Sequence, residues 1–142
     1  KVAMGSNDAQ TIRAFLEAEA YDGPSIIIAY SHCIAHGIDM ARGMMNQKVA
    51  VETGYWQLFR YNPLGAVEGK NPFKLDSKPP SKPLKEFTSL ETRFRMLEKI
   101  DPDRAKKLAV LAQADVKERW ALYEQYAHEG GGAVEKPSEK QE

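Results

Sequence analysis

The stretch Ser25-Ile26-Ile27-Ile28-Ala29-Tyr30 decides the predicted fold. Its residues are mostly apolar and partly β-branched at successive positions, without the polar alternation that a half-exposed strand shows. Both faces of such a strand should be buried, which is typical of a central strand in a parallel sheet. The stretch therefore predicts a parallel sheet with a neighbouring strand on each side of it.

The residues before this strand predict a short strand and an amphipathic helix. Val2-Ala3-Met4 is a strand-sized apolar run, and Asn7 is a suitable N-cap with Gln10 as its capping-box partner. The helix should end near Asp22-Gly23-Pro24. Its apolar residues recur at helical spacing and are Ala9, Ile12, Phe15, Leu16 and Ala20.

The residues after the strand repeat the pattern. Asp39 is predicted to cap a second helix that runs to about Thr53, and the pair Met44-Met45 should pack against the core from that helix. Tyr55–Tyr61 predicts a third strand, which Asn62-Pro63 closes. This order of strands and helices predicts an α/β protein, with part of a doubly wound parallel sheet.

The second half predicts a loop-rich segment followed by C-terminal helices. Thr88 and Glu91 form a capping box for a helix through Ile100, and Asp101-Pro102 begins a last helix with proline at its first position. The apolar stripe of that helix is Leu108, Leu111, Val116, Trp120, Tyr123 and Ala127. The predicted division is an α/β part (1–63), an extended wrapping segment (64–87), a helical part (88–129) and a flexible tail (130–142) that starts at Gly130-Gly131-Gly132.

The composition excludes several classes of protein. Twenty basic and twenty acidic side chains cancel, so no net charge steers the chain to nucleic acid or to an anionic membrane, and no apolar run approaches the roughly 20 residues that span a bilayer. One cysteine excludes an internal disulfide and favours a reducing compartment. The chain begins on an apolar run without an initiator Met, so we expect it to be a fragment of a longer cytoplasmic protein that has lost what precedes it.

The loop after the central strand is the candidate site, because ligands of open α/β sheets bind at the carboxyl ends of strands. This loop, residues 31–37, carries His32, Cys33 and His36. Four interpretations of Cys33 stay open. The thiol is a small buried hydrophobe, a nucleophile paired with one histidine, a zinc ligand together with His36, or one thiolate of an iron–sulfur cluster.

A family resemblance extends over residues 2–78. The sequence resembles the C-terminal part of the thiamine-diphosphate domain of the pyruvate:ferredoxin (flavodoxin) oxidoreductases, and the helices from Thr88 to Glu129 resemble that family's C-terminal extension. The segments that carry the resemblance are Tyr21-Asp22-Gly23-Pro24-Ser25, Ile26–Tyr30, Cys33-Ile34 with Gly37, Gly54-Tyr55-Trp56, Leu58–Pro63, Gly69–Phe73 and Leu75–Lys78.

The resemblance implies an enzyme that decarboxylates pyruvate with coenzyme A to acetyl-CoA and CO2. It implies thiamine diphosphate and Mg2+ as cofactors, and [4Fe-4S] clusters that pass electrons to ferredoxin or flavodoxin. Cys33 stands where the family has one cluster ligand, whose three companion cysteines lie in the upstream part of the same polypeptide. The complete enzyme is expected to be a homodimer without nucleic-acid or membrane partners.

The resemblance assigns no catalytic, thiamine or substrate contact to this chain, because the family's diphosphate- and magnesium-binding stretch has no match here. His32 and His36 depart from the family pattern and receive no role from it. We therefore expect the isolated chain to be inactive. The alternative is a non-catalytic α/β interaction module derived from this family, in which Cys33 is structural.

Overall fold

Helices dominate the computed structural model, which describes residues 1–129. Strands β1 (Phe59–Tyr61) and β2 (Phe73–Leu75) pair in antiparallel fashion. The predicted helix stop at Gly130–Gly132 and the predicted tail lie outside the described residues. The helices are α1 (Asp8–Ala20), α2 (Gly43–Glu52), α3 (Leu64–Val67), α4 (Leu84–Thr88), α5 (Thr92–Ile100) and α6 (Pro102–Glu129), with 3-10 turns at Ile34–His36 and Met40–Arg42.

Four extended segments lie side by side through main-chain hydrogen bonds. Val2 pairs in parallel with Ala29: the Val2 N–H donates to the Ile28 carbonyl and the Tyr30 N–H to the Val2 carbonyl, both at 2.9 Å. On the other side, Lys1 and Phe59 each donate a main-chain hydrogen bond to the other, an exchange typical of an antiparallel pair. Residues 25–30, residues 1–2, β1 and β2 therefore follow one another in a row.

The predicted central strand, Ser25–Tyr30, differs from its prediction in extent and in burial. Its one isolated bridge, between Ala29 and Val2, is parallel as predicted, but residues 25–30 do not form a strand, and Ile26 is 87% exposed and Ile28 is 51% exposed. Within residues 1–129, Val2 is the single bridge partner of this segment, so the predicted neighbouring strand on each side of it is not found there. The architecture is a mixture of helices and short strands compatible with the α/β class, and the doubly wound sheet stays a prediction.

The predicted third strand, Tyr55–Tyr61, is wrong in extent and in direction. Only Phe59–Tyr61 forms a strand, and its partner is β2, which the predicted loop-rich segment contains. Phe73 lies 5.2 Å from Phe59 and 5.9 Å from Tyr123, ring centre to ring centre, so β2 is held between β1 and α6. Asn71 adds hydrogen bonds from its side-chain amide to the carbonyls of Tyr126 and Ala127.

The hydrophobic core lies among α2, α4 and α6. Its buried members are Ala50, Leu84, Phe87 and Val116, and the Phe87 ring stacks on Tyr55 with 4.3 Å between centroids. The predicted stripe of α6 is right at Val116, whereas Leu111 is 59% exposed.

The prediction that Met44-Met45 packs against the core is wrong, because these side chains are 49% and 52% exposed. Helical periodicity places Gly43, Asn46, Gln47 and Ala50 on the inner face of α2 instead. Gln47 on that face has a partner inside the protein, because its Oε1 accepts the Gly5 N–H at 2.9 Å.

The helix starts were predicted with mixed success. Asn7 caps α1 as predicted, since its Oδ1 accepts the Gln10 N–H at 2.9 Å. The Gln10 side chain donates to Asp76 and the Lys1 carbonyl, so among the described contacts it does not complete the box. Asp101 and Pro102 begin α6 as predicted, with Asp101 Oδ1 accepting the Arg104 N–H.

The capping box of Thr88 and Glu91 is wrong. Thr88 is the last residue of α4, and α5 begins at Thr92. Glu91 is fully buried and turns its carboxylate toward Tyr30 and Arg93, so within the described chain its side chain makes no capping hydrogen bond. The spacing of a capping box is therefore present without its geometry.

Candidate functional site around Cys33

Cys33 lies where the extended segment 25–30 gives way to the 3-10 turn Ile34–His36. Its backbone is extended (φ −136°, ψ 136°), and its carbonyl accepts the His36 N–H at 3.0 Å. The thiol is free and partly buried, and among the described residues its sulfur makes no capping hydrogen bond. Cys33 is thus a free, partly buried thiol at the start of a folded turn.

The two histidines beside Cys33 are placed differently from each other. The His32 Nδ1 lies 3.2 Å from the Gln47 Nε2, and the His32 ring packs so closely on Gly43 that a methyl group there would overlap it. The His36 Nδ1 is buried and has no hydrogen-bond partner within residues 1–129. The hydrogen bonds found in that range do not join either ring to Cys33, so no contact supports the nucleophile interpretation.

The metal interpretation finds one ligand in this chain. Across residues 1–129, no group of three or more His, Cys, Asp or Glu side chains is arranged to hold a metal ion. A zinc site would need three or four protein ligands, and a cluster normally takes four cysteines. With a single cysteine in the sequence, a cluster ligand at Cys33 requires companions from outside the chain.

The C-terminal end of the Cys33 loop is fixed to the first residue of α5. The Gly37 carbonyl accepts two hydrogen bonds from Thr92, one from its N–H at 3.2 Å and one from its Oγ1 at 2.8 Å. Gly37 has φ +67°, a conformation that favours glycine, and a methyl group on it would overlap the Thr92 side chain. The loop end and the helix start therefore fit together only with glycine at position 37.

The N-terminal end of the loop is joined through Tyr30 to the buried carboxylate of Glu91. The Tyr30 hydroxyl donates to the Glu91 Oε1 at 3.4 Å, and the Arg93 Nε donates to the other oxygen of Glu91. Burial, and after it the charge of Glu91, raise the pKa of Tyr30 well above its usual range, so the phenol stays a donor. Arg93 supplies the cation that a buried carboxylate needs.

A second polar cluster lies beside a cleft of about 450 Å3 between α1, residues 24–28 and β1. Arg60 forms ion pairs with Asp76 and Glu17 there. Burial disfavours the charge of Asp76, but hydrogen bonds from Arg60 and Gln10 outweigh it and lower the pKa of Asp76 below its usual value. This cluster was not predicted from the sequence, in which an arginine within an apolar strand is its one signal.

Comparison with known proteins bears on this site. The chain is 56% identical to the pyruvate-flavodoxin oxidoreductase of Trichormus variabilis over 126 residues, and 53% identical to the putative pyruvate-flavodoxin oxidoreductase of Synechocystis over 134 residues. It is 49% identical to the pyruvate:ferredoxin oxidoreductase of Moorella thermoacetica over 126 residues. These alignments cover 89%, 94% and 89% of the chain.

The chain belongs to the pyruvate-flavodoxin/ferredoxin oxidoreductase family. The resemblance predicted from the sequence is thereby confirmed. The chain spans about a tenth of the length of these relatives, 11% in each of the three. No model of a protein family matches it.

The structure adds one observation about membranes. None of the helices formed by residues 1–129 combines the length and the apolar character that crossing a bilayer requires.

Proposed function

We propose that this chain is part of a longer oxidoreductase that decarboxylates pyruvate with coenzyme A, forming acetyl-CoA and CO2. The two electrons released per pyruvate leave one at a time through iron–sulfur clusters to ferredoxin or flavodoxin. The observation that carries this proposal is the 49–56% sequence identity, over 89–94% of the chain, to proteins named pyruvate-flavodoxin or pyruvate:ferredoxin oxidoreductase. We place the enzyme in the cytoplasm, in keeping with the single cysteine.

The cofactors of the proposed enzyme are thiamine diphosphate with Mg2+ and [4Fe-4S] clusters. Bound thiamine diphosphate supplies carbanion stabilisation and the clusters supply one-electron transfer. The donor chemistry of this chain fits one part of that set, since a free, partly buried thiol on a folded turn is suited to become one thiolate ligand. We therefore propose Cys33 as one ligand of a cluster, with three cysteines from the upstream part of the same polypeptide.

The remaining residues of the chain are proposed to act as framework. Residues 1–63 form part of the thiamine-binding domain, residues 64–87 wrap over it, and residues 88–129 are a helical extension. The extension contacts the Cys33 loop through Tyr30–Glu91 and Gly37–Thr92. We assign no catalytic group to this chain, and we propose that it is inactive in isolation and dimeric when complete.

The test removes the proposed ligand from the full-length polypeptide. In Cys33→Ala, the iron content should fall by about four atoms per polypeptide, because a [4Fe-4S] cluster normally requires four cysteine ligands. The EPR spectrum of the reduced enzyme should lose the signal of one cluster. Ala35→Ser is the matched control in the same exposed turn and should keep both. Full iron content and an unchanged spectrum in Cys33→Ala would overturn the ligand assignment.

The alternative is the non-catalytic α/β interaction module, which the exposed apolar side chains of α1 favour. Ile12 is 61% exposed and Phe15 is 54% exposed, and such surfaces commonly bind other proteins. Pyruvate-dependent reduction of ferredoxin by the purified full-length polypeptide separates the two proposals. A module gives no reduction under conditions in which a bacterial relative is active.

A further inference from the structure

Two consecutive residues at the beginning of α5 hold both ends of the Cys33 loop. Thr92 binds the Gly37 carbonyl, after the turn, with its N–H and its hydroxyl. The Glu91 carboxylate accepts a hydrogen bond from the hydroxyl of Tyr30, which precedes the turn. Thr92 and Gly37 are separated by 55 residues in the sequence, and Glu91 and Tyr30 by 61 residues. The loop is therefore closed by tertiary contacts and not by its own turn alone.

Both contacts resist rearrangement. Glu91 has no exposed surface, and Arg93 pairs with its second oxygen, so turning the carboxylate away from Tyr30 would break a buried network. At the other end, Gly37 lies against the Thr92 side chain with no room for a methyl group. The Tyr30 ring also packs edge-on against Trp56, at 5.3 Å between centroids, which fixes its direction.

We infer that Glu91 and Thr92 are positioning residues that fix the Cys33 loop in the conformation in which its thiolate binds an iron–sulfur cluster. The inference rests on the proposed function for the cluster and on the described contacts for the positioning. A ligand held by packed and hydrogen-bonded neighbours needs no reorganisation when the cluster binds. The reduction potential of a cluster responds to hydrogen bonds and solvent exposure near its sulfurs, so loosening this loop should change it.

The experiment compares three threonine variants of the full-length polypeptide. Thr92→Val removes the hydroxyl and keeps the branched shape, whereas Thr92→Ser keeps the hydroxyl. Thr88→Val is the matched control, because the Thr88 hydroxyl bonds the Lys85 carbonyl of its own helix at 3.4 Å. Amide hydrogen exchange of residues 31–37 measures the loop, in which the His36 and Gly37 amides are hydrogen-bonded. A potentiometric EPR titration measures the clusters.

In Thr92→Val, the amides of residues 31–37 should exchange about 2- to 10-fold faster, the effect of losing one ordinary hydrogen bond. The midpoint potential of one cluster should shift while those of the others stay unchanged. Thr92→Ser and Thr88→Val should match the parent enzyme in both measurements. Tyr30→Phe removes the contact at the other end of the loop and should change exchange and potential of the same cluster.

Unchanged exchange in Thr92→Val would overturn the positioning role, whatever the clusters do. Faster exchange with every cluster potential unchanged would overturn the link between the loop and a cluster. Failure of the proposed function has a different signature, which is full iron content in Cys33→Ala. In that case the proposed link between the loop and a cluster is also wrong. The hydrogen-exchange data still decide whether Thr92 holds the loop.

Discussion

Arg60 and Asp76 are joined by two parallel hydrogen bonds of 2.8 Å, from Nε to Oδ2 and from Nη2 to Oδ1. Their side chains are 9% and 10% exposed. Glu17 of α1 contacts the same guanidinium, and Gln10 of α1 donates to Asp76. This pair therefore attaches α1 to β1 and to the residue that follows β2, while the large apolar side chains of α1, Ile12, Phe15 and Leu16, are more than half exposed.

Removing one partner of this pair should destabilise the chain strongly. In Arg60→Met, Asp76 keeps a largely buried charge without its cation, and the free energy of unfolding should fall by about 2–4 kcal/mol. Urea denaturation of the 142-residue chain measures this. Lys70→Met breaks the exposed Glu68–Lys70 pair and should leave the urea midpoint unchanged. Equal losses in the two variants would contradict the assignment of Arg60–Asp76 as a buried pair.

The stability of the chain should depend on pH through Asp76. The pKa of Asp76 is lowered from its ordinary value of 3.8 by Arg60 and Gln10, against the opposing effect of burial. A carboxyl with a lowered folded-state pKa contributes stability above its unfolded pKa and loses it as the pH falls through the folded value. The parent chain should thus exceed Asp76→Asn in stability at about pH 6, and the difference should shrink below about pH 4.

A difference that stays constant between these pH values, measured by urea titrations, would show that the Asp76 carboxylate is not the titrating group. Glu124→Gln is a suitable control, because this exposed residue of α6 takes no part in the ion pairs of Arg60. Its pH profile should run parallel to that of the parent chain.

The core among α2, α4 and α6 should depend on Phe87. Phe87→Ala should lower the free energy of unfolding by about 3–5 kcal/mol, because the ring is fully buried against Tyr55 and Phe94. Leu111→Ala on the outer face of α6 should change it by less than about 0.5 kcal/mol. Chemical denaturation checks both, and a larger loss for Leu111→Ala would place the core on the other face of that helix.

The exposed apolar residues of α1 and of the segment 25–30 should make the isolated chain associate. The double variant Phe15→Gln, Ile26→Thr should lower the fraction of associated chain in sedimentation velocity without lowering stability, because both side chains are more than half exposed. Val67→Thr, an equally exposed apolar position in α3, is the control and should leave association unchanged. The same decrease with Val67→Thr would mean that association is not specific to this face.

Local features of the fold were predictable where they depend on neighbouring residues. The Asn7 cap, the start of α6 at Pro102 and the end of α2 before Gly54 follow from side chains or ring geometry within a few positions. The predicted capping box of Thr88 and Glu91 is wrong because the Glu91 carboxylate pairs with Arg93 instead of capping the helix. Strand β2 was missed because the prolines around Phe73-Lys74-Leu75 obscured a three-residue alternation.

The sequence by itself determined the family, the single thiol and the local start signals at Asn7 and Pro102, because these depend on residue identity and on local patterns. Only the tertiary structure decided which face of each helix is buried, since periodicity gives two opposite faces and the partner selects one. It alone showed that Glu91 and Thr92 meet the two ends of the Cys33 loop. Contacts across 55 or more residues depend on how the helices pack, and no local pattern encodes them.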